Sequence, residues 1–403
     1  MTGLFNVLAL LYIGRAVQLA ARIIQNRATL RQEPLTREKQ RLAEQAAFFL
    51  GVPPAVFIHE LAHALAIVVF GGQVAEFGYR VFWGYVVPSG TFTAVQSWII
   101  AVAGTLGSLI FGLFVWILLR RSSSRTVQYF GLRTFRFQVY FSLIYYPIFT
   151  LFLSVGDWRT IYNFAATPVL SAATAVAHVL LLFLFWRADQ AGFFDMVAFD
   201  SPGAQLRYES TRAAAETGDP MARLQTISFL WAGGARHEAR KQLDDFLKDF
   251  PTSAEAQLQL AIMAGDGSRQ VNKKAYDAAG QALALGLRGV DQIALARQIR
   301  ALYHLERGQG VEAEVELNAA FIPTAAYDPE DITPIRRAEL HRLRSQAYRR
   351  QGRYEDAYAE IDVTLQLARR FALESVVREC VEEKELIEKH AGRSMSEPTK
   401  RMT

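Results

Sequence analysis

Two histidines separated by one helical turn are the residues best suited to chemistry. The run His59-Glu60-Leu61-Ala62-His63 has the pattern HExxH. Residues four positions apart share one face of a helix, so both imidazoles can bind one zinc ion. The carboxylate of Glu60 points to the same region and can serve as a general base towards water. A motif this short also arises by chance, so its surroundings decide how it is interpreted.

The motif lies inside the apolar run Ala46–Phe70. Ionisable groups within a membrane segment cost a few kcal/mol each, and they persist when they have a partner or a task. A zinc ion would satisfy all three groups, because it binds both imidazoles and attracts the carboxylate. A His–Glu pair lining a polar cavity is the structural alternative.

Catalytic zinc needs a third protein ligand and an open position for water. Between Phe77 and Trp186 the only carboxylate is Asp157, which we predict to be this ligand. The alternative role for Asp157 is an interfacial cap for the loop 155–162. His178 is a second candidate, as a ligand or proton relay, although a membrane histidine hydrogen-bonded to a neighbouring helix fits equally well. The single cysteine, Cys380, excludes a cysteine-based zinc module and a disulfide framework.

The elements that must position these residues are membrane segments. The chain of 403 residues carries 15 basic and 6 acidic residues up to Arg187, and 29 basic and 33 acidic residues after it. The first part contains uncharged runs of membrane-spanning length, which exclude a soluble globular enzyme. We predict an all-α polytopic membrane protein with about five transmembrane segments, at about 4–20, 46–70, 94–119, 137–155 and 161–186.

Charge predicts the orientation of these segments. The loops 21–45 and 120–136 together carry 11 basic residues, whereas the opposite side has only Arg80 and Arg159. The positive-inside rule therefore places both loops in the cytoplasm, and the C-terminal half follows them there. Basic loops beside membrane segments give no indication of nucleic-acid binding.

The C-terminal half has an amphipathic helical pattern with a repeat. Counted from three glycines, small residues recur at +5 and large apolar residues at +9 and +13, at intervals that bracket a two-helix repeat of about 34 residues. The stretch Ala347–Ala357 resembles a tetratricopeptide repeat, which implies an α-solenoid that binds peptides or partner proteins; an irregular helical bundle is the alternative. The glycines are Gly234, Gly308 and Gly352, the small residues Ala239, Ala313 and Ala357, and a weaker copy starts at Lys274.

Residues 46–160 resemble the site-2 protease family of intramembrane zinc metalloproteases. The likeness rests on the HExxH helix running into Gly71-Gly72-Gln73-Val74, on Ala103-Gly104-Thr105-Leu106-Gly107-Ser108, and on Tyr146-Pro147 with Asp157. The sequence departs from the family pattern at Thr105, Ile144 and Trp158. The resemblance implies that a substrate transmembrane helix unwinds beside the motif helix and pairs with a membrane-embedded β-hairpin after Gly72. It also implies a motif helix that runs opposite to the direction given by the charge count.

Four regions are predicted. They are a transmembrane metalloprotease domain (1–192), a linker (193–204), a tetratricopeptide-like repeat domain (205–392) and a disordered tail (393–403). We predict a zinc metalloendopeptidase that cleaves a transmembrane protein substrate, in a bacterial inner or plasma membrane, with His59, His63 and Asp157 as metal ligands and Glu60 as catalytic base. The repeat domain would bind a substrate or regulator protein. The alternatives are a membrane-anchored scaffold with an inactive or structural metal site and, third, a metal-ion transporter.

Overall fold

The computed structural model describes residues 2–153, 156–265, 271–323 and 328–391. It is mostly helical, as expected from the sequence. Its first elements are α1 (Thr2–Gln25), α2 (Arg27–Arg31), α3 (Arg37–Phe49), α4 (Val52–Val69), β1 (Gln73–Tyr79), β2 (Gly84–Ser89), α5 (Ala94–Leu119), α6 (Arg125–Tyr140), a π-helical turn (Phe141–Tyr145), α7 (Tyr146–Leu153), α8 (Asp157–Ile161), α9 (Pro168–Gln190) and α10 (Pro202–Glu216). Then follow α11 (Pro220–Ala232), α12 (Arg236–Asp249), α13 (Ala254–Gly265), α14 (Lys273–Ala284), α15 (Val290–Leu305), α16 (Gly310–Ala319), a 3-10 turn (Pro329–Asp331), α17 (Pro334–Arg350), α18 (Tyr354–Arg370) and α19 (Glu374–His390).

The chain divides into two compact units. The first contains Met1–Ala222 and Ala232–Glu238, and the second contains Arg223–Trp231 and the chain from Ala239 on. Helix α10 therefore groups with the first unit. The four regions expected from the sequence remain predictions, and the expected tail 393–403 lies outside the described residues.

Among the described residues, four helical stretches are long and apolar enough to cross a membrane. They are Val7–Gln25, Arg37–Val69, Ala94–Leu119 and Pro168–Gln190. The segment expected at 137–155 is not one of them, since it forms the end of α6, the π turn and α7. The count of five spans is therefore not confirmed.

The two basic segments that the sequence analysis treated as loops are largely helical, which corrects that expectation. Most of 21–45 belongs to α1, α2 and α3, and α6 begins at Arg125. Leu42, Ala43 and Ala46 recur at helical spacing among the charges, and they bury one face of α3. Helices α3 and α6 pack against each other, and Tyr129 of α6 lies in the same apolar cluster as Ala43.

The motif helix α4 begins with two prolines in its first turn, where a missing N–H costs no hydrogen bond. It ends before Gly71, whose φ of 78° lets the chain turn into the hairpin. Strands β1 and β2 pair antiparallel, with Tyr79 opposite Gly84 and an irregularity between Val74 and Glu76. A β-hairpin thus follows the motif helix, as the sequence predicted.

Helix α5 is the platform on which α4, α6 and α8 pack. Helices α4 and α6 lie along it, and the short helix α8 docks on it through Trp158 and Ile161. Both side chains are almost fully buried, together with Ala101 of α5 and Leu143 of the π turn. This docking fixes the start of α8, where Asp157 lies.

In the second unit, consecutive helices pack in pairs: α13 with α14, α15 with α16, and α17 with α18. Gly308 and Gly352 lie at the turns within two of these pairs, with φ near 77° and 76°. Ala239, Ala313 and Ala357, the small residues of the sequence repeat, are all fully buried. These features agree with helical hairpins, while a solenoid of tetratricopeptide type remains a prediction.

Candidate metal centre

The structure brings the three expected metal ligands together. His59 and His63 lie one turn apart on α4, with 3.1 Å between their Nε2 atoms. Oδ2 of Asp157 lies 3.0 Å from Nε2 of His59 and 3.2 Å from Nε2 of His63. Asp157 is 98 residues from His59 in the sequence, so this contact depends on tertiary packing.

The hydrogen bonds of Nδ1 in each imidazole determine whether Nε2 of the same ring carries a lone pair. Nδ1 of His63 lies 2.7 Å from the carbonyl oxygen of Ile100. Because a carbonyl only accepts hydrogen bonds, Nδ1 of His63 carries the proton, and the neutral ring presents a lone pair at Nε2. Nδ1 of His59 lies 3.2 Å from Oγ of Ser108, which can accept in the same way. Contacts of this kind orient metal-binding histidines in general.

When both rings are neutral, two lone pairs and one carboxylate oxygen therefore converge on a single point. Three acceptors about 3 Å apart repel one another unless a cation lies among them. A tetrahedral zinc ion with bonds of about 2.05 Å places its ligand atoms about 3.3 Å apart, close to the observed spacing. The donor set of two imidazoles and one carboxylate is also the type found in catalytic zinc sites with an open position. The residues fit a divalent metal ion, and the group His59, His63 and Asp157 is able to hold one.

The close approach of α5 to the imidazoles requires a glycine at position 104. A Cβ on Gly104 would lie 2.2 Å from Nε2 of His63 and 2.7 Å from Nε2 of His59. Both distances are far below van der Waals contact, which starts near 3.4 Å. Gly104 thus creates the space that the imidazoles occupy.

Glu60 lies beside the three ligands in a shared cavity. Its side chain is 5% exposed, and it borders a cavity of about 640 Å³ together with His59, His63 and Asp157. Strand β2 runs directly over it, since a Cβ on Gly84 would lie 2.5 Å from Cγ of Glu60. The position suits a base acting on a group held near the ligands, and the catalytic role of Glu60 remains a prediction.

Tyr146 and Ser108 support the ligands, and the sequence analysis assigned neither of them a role. The hydroxyl of Tyr146 donates to Oδ2 of Asp157 over 3.0 Å and accepts from the Asp157 backbone N–H over 3.2 Å. Ser108 holds His59 and lies four residues after Gly104, on the same face of α5. That spacing is a signal that could have identified Ser108, whereas nothing in the sequence indicates the reach of Tyr146 to Asp157.

His178 lies apart from the candidate metal centre. Its Nε2 donates to the carbonyl oxygen of Leu143 in the π turn over 2.6 Å, and the Tyr162 hydroxyl lies 2.5 Å from its Nδ1. Both ring nitrogens thus have partners within the protein. Of the roles considered for His178, the structure favours a hydrogen bond to a neighbouring helix over metal binding.

A comparison with known proteins finds a family model that matches the part of the chain containing the candidate metal centre. Residues 54–206 match the model of a family described as Peptidase M50B-like. The matched stretch contains the HExxH motif, the hairpin, α5 and Asp157, and it is less than half of the chain. No curated protein matches the chain. The match supports the expected similarity to site-2 proteases, and with the four apolar helices it indicates a membrane protein related to peptidases.

Proposed function

We propose that the protein is an intramembrane zinc metalloprotease that hydrolyses peptide bonds of membrane or membrane-proximal proteins. The convergence of His59, His63 and Asp157 within an otherwise apolar helical core is the observation that carries this proposal. The match to a peptidase family over 54–206 supports the reaction class. The family match leaves the metal open, and the tetrahedral spacing of the nitrogen and oxygen donors favours zinc.

In the proposed mechanism, His59, His63 and Asp157 hold the zinc ion. When bound, the ion supplies Lewis-acid polarisation of the scissile carbonyl and of a water molecule. Glu60 takes up a proton from the attacking water and passes it to the leaving amine. Its burial beneath Gly84 keeps the carboxylate away from bulk water.

Strand β2 offers a way to hold an unwound substrate. Its residues Gly84, Tyr85 and Val86 line the cavity that contains Glu60. An extended peptide added to the edge of β2 would run past the metal ligands, with its backbone fixed by main-chain hydrogen bonds. A helical substrate lacks free backbone donors and acceptors, so only an unwound segment can bind in this way.

We further propose that the two basic segments face the cytoplasm and that the C-terminal repeat domain lies there too, where it binds a substrate or regulator protein. The packing of α3 against α6 supports a common side for the two segments. A fifth span at 137–155 belongs to the same proposal. The charge count and this packing favour an orientation opposite to that implied by the resemblance to site-2 proteases.

Replacement of the proposed base tests the function directly. In Glu60→Gln we expect cleavage to fall by about 10²–10⁴-fold while zinc content is unchanged, because a general base contributes that much and Glu60 is not a ligand. The matched control is Glu38→Gln, which changes an exposed carboxylate paired with Arg22. The readout is the set of new N-termini that appear in membranes of cells expressing wild type, Glu60→Gln or Glu38→Gln.

Metal analysis of the same preparations separates catalysis from metal binding. Zinc that is near-stoichiometric in wild type and lost in His59→Ala and Asp157→Ala would support the three-ligand site. Equal sets of N-termini in wild type and Glu60→Gln would refute catalysis by this motif. A well-folded wild-type protein without zinc would instead favour a membrane-anchored scaffold.

A further inference from the structure

A second cavity lies away from the candidate metal centre, among the basic segments. It has a volume of about 290 Å³ and lies between the end of α1, α2, α3 and the start of α6. This volume is near the lower end of the range for ligand pockets, about 300 Å³. Its walls are mainly apolar, formed by Ile23, Leu30, Leu42, Ala43, Ala46, Leu50, Val127 and Phe130.

Two arginines without a counter-charge border this apolar cavity. Arg27 and Arg31 lie one turn apart on α2, and both are exposed. Among the described residues, three of the four other cations of the same basic segment have partners, and the exposed Arg41 has none. Arg22 pairs with Glu38, Arg37 pairs with Asp200, and Lys39 donates to the carbonyl oxygens of Gln32 and Pro34. Within the described residues, no ion pair or side-chain hydrogen bond of Arg27 or Arg31 is seen.

The nearby carboxylates are already engaged elsewhere. Glu33 accepts a hydrogen bond from the backbone of Arg125, and Glu44 accepts one from the hydroxyl of Tyr129. No carboxylate belongs to the described lining of the cavity. The cavity is therefore apolar inside and positively charged at its border.

Thr126 lines the cavity at the start of α6 and is 8% exposed as a residue. Its hydroxyl has no hydrogen-bond partner among the described residues, but the oxygen itself is enclosed by protein atoms. We therefore assign this hydroxyl no contact with a molecule in the cavity.

We propose that this cavity is a binding site for an anionic phospholipid of the surrounding bilayer. Part of an acyl chain fills the apolar cavity, and the phosphate binds Arg27 and Arg31. The charge of the arginines selects an anion, and the apolar walls select a molecule with a hydrocarbon chain. Basic pockets between membrane helices recognise lipid head groups by the same chemistry. This proposal does not depend on the proteolytic function.

Native mass spectrometry of the full-length protein in detergent tests the proposal. The probes are phosphatidylglycerol, phosphatidylcholine with the same acyl chains, and glycerol phosphate as a head group alone. A phosphate contact contributes about fivefold in affinity for each arginine. We therefore expect Arg27→Gln/Arg31→Gln to weaken phosphatidylglycerol binding by roughly 25-fold.

The matched control is Arg120→Gln/Arg121→Gln. It removes the same charge from an exposed pair after α5 that does not line the cavity. We expect this control to bind phosphatidylglycerol within twofold of wild type, roughly the scatter of such measurements. The expected order of wild-type affinity is phosphatidylglycerol, then phosphatidylcholine, then glycerol phosphate.

Three results would overturn the proposal. Equal binding of the two phospholipids would mean that the arginines select no anion. Equal weakening by both double variants would mean a general surface attraction. Glycerol phosphate binding as tightly as phosphatidylglycerol would identify a site for a free phosphate and leave the apolar cavity without a role.

Discussion

Gly104→Ala is the substitution that tests the candidate metal centre most directly. The added Cβ would lie 2.2 Å from Nε2 of His63, and ordinary contact starts near 3.4 Å. The imidazole or helix α5 must therefore move by about 1.2 Å. Metal–ligand distances vary by only about 0.2 Å in a working site, so a shift of this size removes at least one ligand.

The expected loss of zinc affinity in Gly104→Ala depends on how many of the expected ligands the added Cβ displaces. Loss of a supporting contact around a metal ligand lowers affinity by about 10–100-fold, and displacement of the ligand itself costs more. We expect at least about a 100-fold loss of zinc affinity in Gly104→Ala. At a zinc concentration of 100 times the wild-type Kd, binding stabilises wild type by about 2.7 kcal/mol, which raises the Tm by roughly 5–10 °C. The variant at the same concentration gains about 0.4 kcal/mol.

The assay compares thermal unfolding of the detergent-purified full chain with and without zinc after removal of metal by a chelator. Gly131→Ala is the control, because a Cβ there would lie 2.9 Å from Cβ of Leu119, remote from the ligands. It should lose basal stability and keep the full zinc-dependent shift. A wild-type zinc shift in Gly104→Ala would refute the assignment of both imidazoles to one metal ion.

Three further predictions address neighbouring residues. Tyr146→Phe removes the hydrogen bond to Asp157 and should weaken zinc binding by about tenfold in the same titration, whereas the exposed neighbour Tyr145→Phe should leave it unchanged. His178→Phe should keep the zinc content of wild type and lose about 1–3 kcal/mol of stability, and a loss of zinc would make His178 a ligand. Burial raises the pKa of Glu316, but hydrogen bonds from two arginines outweigh it and lower this pKa below its ordinary value of 4.5. The stabilisation is therefore complete well above the ordinary pKa and is lost as the pH falls through the lowered pKa. The stability difference between wild type and Glu316→Gln should therefore shrink from about pH 6 to about pH 3.5, and a constant difference in thermal unfolding would contradict this.

Sequence patterns predict the elements of this protein where one signal dominates. The uncharged runs predict α5 and α9, and the resemblance to site-2 proteases implies the hairpin after Gly72. Uncharged runs do not predict a helix in which charged residues alternate with apolar residues at helical spacing. Helix α3 was taken for a loop up to residue 45 because Leu42 and Ala43 stand among charged residues, although their spacing with Ala46 is helical.

The segment at 137–155 shows a second limit. Its apolar composition predicts a span, which stays a prediction, and gives no sign of the π turn that the chain adopts from Phe141 to Tyr145. This turn contains Leu143, whose carbonyl oxygen accepts the hydrogen bond from His178. A hydrogen bond between a side chain on one helix and the backbone of another cannot be predicted from the periodicity of the sequence.

A group of residues able to hold a metal ion could be picked out from the sequence, because the chemistry of metal binding restricts the candidates to a few residue types. His59 and His63 follow from one helical spacing, and Asp157 follows by elimination in a region almost free of carboxylates. The supporting residues are common types whose roles arise only from contact. Gly104 leaves space for the imidazoles because it has no Cβ. Tyr146 lies 11 residues before Asp157 in the sequence, and only the folded chain brings its hydroxyl into hydrogen-bond contact with that carboxylate.

Helix α5 explains how these contributions act together. None of the expected ligands lies on it, yet the backbone of Ile100, the bare face of Gly104 and the hydroxyl of Ser108 all contact the two histidines. The same helix receives α8, whose docking carries Asp157 to the imidazoles. The three residues therefore come together only when α4 and α8 pack on α5 at the same time, so a metal ion bound by them would stabilise this packing. A substitution on α5 that loosens either contact should lower zinc affinity without touching a ligand.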